Sequence, residues 1–371
     1  MALRIVLHIG APKTGTTYLQ RLLFQNQAPL AEAGVLVPGR RRLHASAATS
    51  IRQPPNGPHR VDWERLVAES QAWPGTVVLS NEWFCMANAR SARRALSELG
   101  DVEKHVVFTA RDFVAQVPAA WQESLKLGIS TRLEEFVSSL ETDRGRWRWS
   151  VLDPALVLER WRNDLPAEHL HVVTVPPTGS EPTLLWRRFA EACGFPADAC
   201  DTEVSQTRES VSVEAARLLQ LAGPRLRDAL DADTSHWSEA YRWIQRYLSH
   251  DLLGPRGGRK IRLRERDVDA LRTRSESSVK SLTAAGYDVV GDLDDLTSAE
   301  PAADAVHPDD VTDAEVLDVA LPLLAQLLGD VRAENQRASE AERRLRATSA
   351  DAGREHPGRA SEFRRRFLRG G

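Results

Sequence analysis

The 371-residue chain has 42% hydrophobic and 27% charged residues, a composition typical of a soluble protein that buries a core. Its formal net charge of −3 argues against a nucleic-acid binder, and no run approaches the roughly 18 apolar residues that span a bilayer. Cys85, Cys193 and Cys200 show no CxxC spacing, so we expect neither a disulfide framework nor a metal site, and a reduced, cytoplasmic setting.

The first predicted element is a buried strand. RIVLHI (4–9) is a short β-branched-rich run, and the opening MALRIVLHIG leads straight into a glycine loop, which favours a strand over a signal peptide. The loop, HIGAPKTGTT (8–17), is followed by the helical pattern TTYLQRLLFQN (16–26). A glycine loop between a strand and a helix presents backbone N–H groups at the positive end of the helix dipole, where phosphates bind.

Three more apolar runs predict buried parallel strands, at residues 75–80, 104–110 and 170–175. Helical patterns separate them. This alternation predicts an α/β fold with a doubly wound parallel sheet and helices on both faces, similar to that of phosphate-loop proteins.

The composition changes after the last of these patterns, and the chain is expected to divide into four segments: an α/β domain over 1–296, an acidic linker over 297–311, a helical extension over 312–348 and a disordered basic tail over 349–371. A capping box at Thr312 and Glu315 opens the extension, which Pro322 should kink. This helix could support self-association.

The glycine loop differs from a nucleotide triphosphate loop in one respect. Gly10 and Gly15 keep the spacing of GxxxxGK[ST], but Thr16 takes the place of the lysine, and Lys13 lies inside the loop. The chain has only five lysines, so the presence of one inside a glycine loop favours a functional role for it. The displaced lysine argues against a protein that binds ATP together with magnesium.

Charged residues follow three of the predicted strands. Lys13 comes after the first strand, Glu82 after the second and Arg111 after the third. Ligands of open parallel sheets bind outside the carboxyl ends of the strands, so these side chains could meet around one ligand.

These motifs resemble a known family. GAPKTGTTYLQ (10–20) is similar to the 5′-phosphosulfate loop of sulfotransferases that use 3′-phosphoadenosine 5′-phosphosulfate (PAPS), and TARDFVAQVPAAW (109–121) resembles their 3′-phosphate segment. Residues 158–195 resemble the corresponding segment of the bacterial branch of this family. The resemblance covers roughly residues 3–296.

The resemblance implies a role for each matching residue. It assigns Arg111 to the 3′-phosphate and assigns the 5′-phosphosulfate to six loop residues: Pro12, Lys13, Thr14, Gly15, Thr16 and Thr17. Position 119 is Ala119 where the family usually has serine, so a hydrogen bond to the 3′-phosphate is missing or comes from Gln116, Gln122 or another segment. The alternative interpretation of Arg111 is a structural salt bridge to Asp112 or another local acid.

Sulfuryl transfer requires a positive charge near the leaving phosphate and a base near the acceptor. Lys13 is the candidate for the first role and Glu82 for the second. His44 and His8 are alternative bases, although a histidine within a strand is more often a hydrogen-bonded core residue.

Two further lysines and four tryptophans are expected to have structural roles only. Lys104 and Lys126 are expected at the surface, and packing is the expected role of four tryptophans near the site: Trp83, Trp121, Trp147 and Trp149. The sequence therefore predicts a PAPS-dependent sulfotransferase acting on a hydroxyl or amine of a small-molecule or carbohydrate acceptor. A phosphotransferase or nucleotide hydrolase and a non-catalytic adenosine-phosphate binding protein remain the alternatives.

Overall fold

Six parallel strands form one sheet in the computed structural model, which describes residues 3–203, 210–230 and 237–354. The strands are β1 (Arg4–Gly10), β2 (Val35–Leu36), β3 (Thr76–Ser80), β4 (Glu103–Ala110), β5 (Leu170–Thr174) and β6 (Asp288–Val290). Their order in the sheet is β2-β3-β1-β4-β5-β6. The loop after β1 therefore leaves the sheet at its centre, with the ends of β3 and β4 on either side.

The four strands expected from the sequence are present, and the predicted α/β fold with a parallel sheet is confirmed. The edge strands β2 and β6 were not predicted. They have two and three residues, too few for the apolar pattern of a strand to be recognised in the sequence.

Helices connect the strands. They are α1 (Thr16–Gln25), α2 (Gln27–Glu32), α3 (Arg41–Ser50), α4 (Arg60–Ala72), α5 (Ala89–Glu98), α6 (Phe113–Leu125), α7 (Leu133–Ser139), α8 (Trp149–Leu152), α9 (Pro154–Arg162), α10 (Leu184–Cys193), α11 (Val213–Ala229), α12 (Trp237–Glu239), α13 (Glu265–Ala285) and α14 (Asp313–Arg354). A π-helix, Ala240–Leu253, continues α12, and a 3₁₀ turn, Glu82–Met86, follows β3.

The sheet is covered on both faces because alternate strand residues point to opposite sides. Val6, Val78, Val107 and Val173 share a core with apolar residues of α1 and α10, among them Leu19, Leu22, Trp186 and Phe189. The intervening residues Ile5, Leu7, Val77 and Phe108 are also fully buried, and α9 packs against β4 and β5. A sheet buried on both faces explains why the strands appear as continuous apolar runs.

The segment 297–311 is not the acidic linker that its composition predicts. It belongs to the compact unit Met1–Val311, and Val306 forms a parallel bridge with Ile261. Asp309 forms an ion pair with Arg217 at 2.9 Å. Asp309 and two other acids of this segment therefore pair with arginines of the α/β unit, which extends beyond the expected boundary at 296.

The second unit, Thr312–Gly371, contains α14. The predicted capping box is present, because Thr312 Oγ1 accepts from Glu315 N at 3.3 Å and Glu315 Oε2 accepts from Thr312 N at 2.8 Å. The helix continues across Pro322 and ends at Arg354, six residues beyond the expected end at 348. The rest of the predicted tail, residues 355–371, lies outside the described residues.

Exposed apolar side chains recur along α14 at intervals of three and four residues: Leu317, Leu321, Leu324, Leu328 and Val331. Self-association through this helix stays a prediction. Within the described part of the chain, none of the helices has the length and apolar character that a bilayer crossing requires.

Candidate active site

The loop between β1 and α1 depends on its two glycines. Gly10 has φ +118° and packs against the 3₁₀ turn, so that a Cβ on Gly10 would lie 2.7 Å from the Glu82 carbonyl oxygen. Gly15 has φ +80°, and a Cβ there would collide with the Leu185 side chain. Both positions therefore require glycine, and the contact at Gly10 brings the start of the turn directly against the loop.

Hydroxyl groups beneath the loop hold its shape. Thr14 Oγ1 lies 2.5 Å from the Ala11 carbonyl oxygen and 2.6 Å from Thr109 Oγ1, and Thr109 donates to the Gly10 carbonyl oxygen at 2.9 Å. Thr14 is fully buried. Its hydroxyl therefore supports the loop from below, while α1 begins at Thr16, where the first backbone N–H groups have no partner within the helix.

Lys13 lies at the centre of the loop and adopts φ +67°, a left-handed conformation that is uncommon for residues other than glycine. Its Nζ lies 3.0 Å from Glu123 Oε1 on α6. The same oxygen lies 2.8 Å from Lys126 Nζ, and Gln245 donates to Glu123 Oε2 at 3.0 Å. Glu123 thus holds two ammonium groups close to the loop.

The two lysines determine the charge of Glu123. Burial alone would raise the pKa of this carboxyl, but the charges and hydrogen bonds of Lys13 and Lys126 lower it to about 2. Lys126, expected at the surface, is fully buried. Its position is explained by the ion pair with Glu123, three residues earlier on the same helix face.

Arg111 follows β4 and contacts the loop. Its Nη1 donates to the Lys13 carbonyl oxygen at 3.2 Å, and burial lowers the pKa of the guanidinium, although the charge of Asp112 raises it. The salt bridge to Asp112 considered from the sequence does not form. The Asp112 carboxylate instead accepts from Val114 N at 2.7 Å and Ala299 N at 2.8 Å. Within the described ranges, Arg111 has no ion-pair partner.

Two glutamines of α6 were considered as replacements for the serine missing at Ala119. Gln116 Nε2 donates to the Pro12 carbonyl oxygen at 2.9 Å, and its Oε1 is buried without a hydrogen-bond partner. Gln122 Nε2 donates to the Val211 carbonyl oxygen at 3.1 Å. Gln116 is therefore the residue of this pair that contacts the loop.

Glu82 is the first residue of the 3₁₀ turn after β3. Its Oε2 accepts from Gln20 Nε2 at 2.8 Å, and Gln20 Oε1 accepts from Arg41 Nε at 3.0 Å. These two hydrogen bonds fix the position of the Glu82 carboxylate, and Glu82 is half-buried. The fold thus brings Lys13, Glu82 and Arg111 to one edge of the sheet, as expected from their positions after three strands.

The two histidines considered as bases are buried and hydrogen-bonded. His44 Nε2 lies 2.6 Å from the Pro38 carbonyl oxygen, and its Nδ1 accepts from Ser80 N at 3.0 Å. His8 contacts Ser80 Oγ at 2.7 Å, and burial lowers its pKa to about 3. Burial likewise lowers the pKa of His44 to about 4. Both rings are therefore neutral near pH 7, and the hydrogen bonds to neighbouring residues favour a structural role for them over that of the base.

Arg146 is a site residue that the sequence analysis did not single out. Its guanidinium carbon lies 3.8 Å from the centroid of the Trp83 ring and 5.7 Å from that of Trp147. Burial lowers the pKa of Arg146, while Glu123 and Glu82 raise it, so the guanidinium lies within electrostatic reach of both acids. The RWRW run at residues 146–149, which alternates arginine with tryptophan, was the available signal in the sequence.

Trp121 and Trp149 have packing roles, as expected. Trp121 is fully buried and donates from Nε1 to the Thr131 carbonyl oxygen at 2.8 Å. Trp149 is buried and donates to Glu141 Oε1 at 2.8 Å. Neither ring is available for stacking on a ligand.

Among the described residues, two groups of histidines and acids lie close enough to share a metal ion: Glu103, His105 and His169, and Glu134, His307 and Asp309. The first group lies at the start of β4, the opposite edge of the sheet from the loop, and both nitrogens of His105 already contact Glu103 and His171, at 2.6 and 2.7 Å. In the second, His307 Nδ1 accepts from Asp309 N at 3.2 Å. The proton of that neutral ring therefore lies on Nε2, which leaves no lone pair for a metal.

Comparison with known proteins gives a structural match but no sequence match. No family profile and no curated protein sequence matches the chain. A sulfotransferase from Alicyclobacillus acidocaldarius is similar in structure, with a TM-score of 0.38 and 14% sequence identity, over 63% of this chain and 98% of that one. This similarity is too low to assign an activity, so the function is inferred from the site itself.

Proposed function

We propose that the chain transfers a sulfuryl group from PAPS to a hydroxyl or amine of a small-molecule or carbohydrate acceptor. The observation that carries this proposal is the half-buried guanidinium of Arg111, which has no carboxylate partner among the described residues and donates a hydrogen bond to the glycine loop that also presents the Lys13 ammonium group. Two separate positive groups, one on the loop and one bonded to it from the end of β4, suit a ligand with two separate anionic groups, such as the two phosphate positions of PAPS.

The residues present fit such a donor. The loop N–H groups at the start of α1, together with Lys13, would hold the 5′-phosphosulfate, and Arg111 would hold the 3′-phosphate. Gln116 has an unpartnered buried oxygen beside the loop, and it would complete the polar lining where Ala119 replaces the usual serine. Thr14 would contribute through its backbone, since its hydroxyl is engaged below the loop.

PAPS supplies a sulfuryl group attached to a phosphate, whose bridging oxygen gains negative charge as the sulfur–oxygen bond breaks. Lys13 and the N–H groups of the helix start would stabilise that charge, an electrostatic contribution worth several kcal/mol in other enzymes. In the structure, Lys13 is paired with Glu123. Since Lys126 also neutralises Glu123, the Lys13 ammonium can turn toward a bound anion without leaving the carboxylate unpaired.

Glu82 would act as the base that accepts the proton of the acceptor hydroxyl or amine. Its backbone lies against Gly10, so the carboxylate is beside the loop, and the hydrogen bond from Gln20 fixes one of its oxygens. The other carboxylate oxygen of Glu82 would then take the proton from the acceptor hydroxyl or amine. The charge on the leaving group is balanced by residues of the chain, so the proposed reaction requires no metal ion.

Calorimetry with the full chain tests this proposal. We expect 3′-phosphoadenosine 5′-phosphate to bind with micromolar affinity without magnesium, and to lose at least tenfold in affinity in Lys13→Ala and in Arg111→Ala. Tighter binding of ATP with magnesium would favour a phosphotransferase or nucleotide hydrolase. Binding of the adenosine bisphosphate without any sulfate transfer from PAPS to a broad set of hydroxyl and amine acceptors would favour a non-catalytic binding protein.

A further inference from the structure

Arginines surround the turn that begins with Glu82. Arg52 Nη1 lies 3.3 Å from Met86 Sδ, and Arg160 Nη2 donates to the Cys85 carbonyl oxygen at 2.9 Å. We use the name arginine cluster for four residues around this turn: Arg52, Arg146, Arg148 and Arg160.

The other two members complete the cluster. Arg146 stacks on Trp83, the second residue of the turn. Arg148 donates from Nε to Ser150 Oγ at 2.8 Å, and the Ser150 carbonyl oxygen accepts from Arg160 Nη2 at 2.5 Å. The four guanidinium groups therefore come from three separate segments and meet around one short turn.

The four charges repel one another. Burial lowers the pKa of Arg52, and the charge of Arg148 lowers it further. The same two causes, burial and a neighbouring guanidinium, act on Arg146 through Arg52 and on Arg160 through Arg148. Several guanidinium groups of the same charge around one turn favour a negatively charged ligand among them.

The compensating charge does not come from a paired carboxylate of the described chain. No member of the arginine cluster lies within ion-pair distance of a described Asp or Glu, although Glu82 and Glu123 act on Arg146 from farther away. The Cys85 thiol lies among the guanidinium groups, but burial raises its pKa to about 12, so it is neutral near pH 7. The guanidinium groups mainly contact carbonyl oxygens, a sulfur atom and an aromatic ring.

A planar guanidinium binds carboxylate, sulfate and phosphate groups through paired hydrogen bonds. We infer that the arginine cluster binds an anionic oxygen group of the acceptor, a carboxylate or a sulfate, and so presents the acceptor hydroxyl or amine to Glu82. This inference rests on the proposed function. It adds the chemical class of the acceptor, which would carry a negative charge near the group that is sulfated.

Inorganic sulfate is a probe for this site. In calorimetric titrations of the full chain saturated with 3′-phosphoadenosine 5′-phosphate, we expect sulfate to bind, and its affinity to fall at least tenfold in Arg146→Gln and in Arg52→Gln. Arg93→Gln is the matched control, because Arg93 is an exposed arginine of α5 that bonds only to Asn163 among the described residues. Circular dichroism melting checks that the variants are folded.

A second pair of measurements separates the cluster from the loop. Sulfate binding that persists in Arg146→Gln and Arg52→Gln but disappears in Lys13→Ala would place the anion at the loop and overturn the inference, as would the absence of sulfate binding. The affinity for 3′-phosphoadenosine 5′-phosphate should stay within twofold of the wild type in both cluster variants. If the nucleotide fails to bind the wild type, the proposed function fails, whereas the sulfate titration of the nucleotide-free chain still tests the cluster.

Discussion

The Arg111 guanidinium donates a hydrogen bond to the backbone carbonyl of Lys13, with 3.2 Å between Nη1 and the oxygen. This bond joins the end of β4 to the middle of the loop that follows β1. It places a permanent positive charge beside the ammonium-bearing residue without neutralising either group. In the proposed function, the two residues are parts of one anion-binding surface.

The shape of the Arg111 side chain should matter as much as its charge. In Arg111→Lys the positive charge remains, but the planar fork that can bond the Lys13 carbonyl and a phosphate at once is lost. We expect the affinity for 3′-phosphoadenosine 5′-phosphate to fall about tenfold, which corresponds to about 1.4 kcal/mol. Calorimetry measures the change, with Arg93→Lys as the control. Unchanged affinity would show that Arg111 does not hold the nucleotide.

Glu82 should affect turnover rather than donor binding. Glu82→Gln retains an oxygen that can accept from Gln20 but can no longer take a proton, and removal of a general base typically costs about 10²- to 10⁴-fold in rate. Sulfate transfer from radiolabelled PAPS measures the rate, and calorimetry measures nucleotide affinity, which should not change. Glu69→Gln is the control, since Glu69 pairs with Arg65 on helix α4. Full activity of the Glu82 variant would remove Glu82 from the mechanism.

The part of the site that lies at strand ends could be predicted from the sequence. Lys13, Glu82 and Arg111 each follow an apolar run, and the rule that parallel strands end at one edge brings them together. The central strands were likewise visible because a sheet buried on both faces gives continuous apolar runs. Local patterns of this kind need no knowledge of distant contacts.

Residues whose roles depend on distant contacts could not be predicted. Glu123 lies 110 positions from Lys13, and its sequence neighbours in α6 give no sign that an ion pair closes between them. Lys126 has the sequence environment of a surface lysine, yet it is buried by that pair. The segment 297–311 has a linker composition because its acids pair with arginines far along the chain. Composition reports charge but not the partner of each charge.

Glu123 should stabilise the fold above about pH 4.5. Its pKa in the folded chain is about 2, against an ordinary value of 4.5, so the folded state holds the charged form. Stability from this group is present above the ordinary pKa and is lost as the pH falls toward 2, by about 3 kcal/mol in total. Urea unfolding from pH 7 to pH 2.5 measures the free energy of unfolding.

The Glu123→Gln variant should lack this dependence. It should also be less stable at pH 7, by about 3–5 kcal/mol, because the carboxylate shared by Lys13 and Lys126 is gone. Glu69→Gln provides the comparison, since an exposed i,i+4 pair contributes only about 0.3–0.5 kcal/mol. A wild type and a Glu123 variant with parallel pH profiles would contradict the assigned ion pairs.

The buried histidines should make the fold sensitive to mild acid. His44 has a pKa of about 4 in the folded chain and an ordinary value of 6.5, so the unfolded state binds the proton more readily. Stability is therefore complete above about pH 6.5 and falls as the pH drops toward 4. At pH 5 the loss from His44 is about 2 kcal/mol.

Replacement of His44 by glutamine isolates this effect. A glutamine can accept from Ser80 N and donate to the Pro38 carbonyl as the ring does, but it does not titrate. We expect His44→Gln to lose about 2 kcal/mol less than the wild type between pH 7 and pH 5, measured by urea unfolding at each pH. The NMR signals of the His44 ring should also show no protonation above pH 5. A ring that titrates near pH 6.5 would mean that His44 is open to solvent, and it would return as a candidate base beside Glu82.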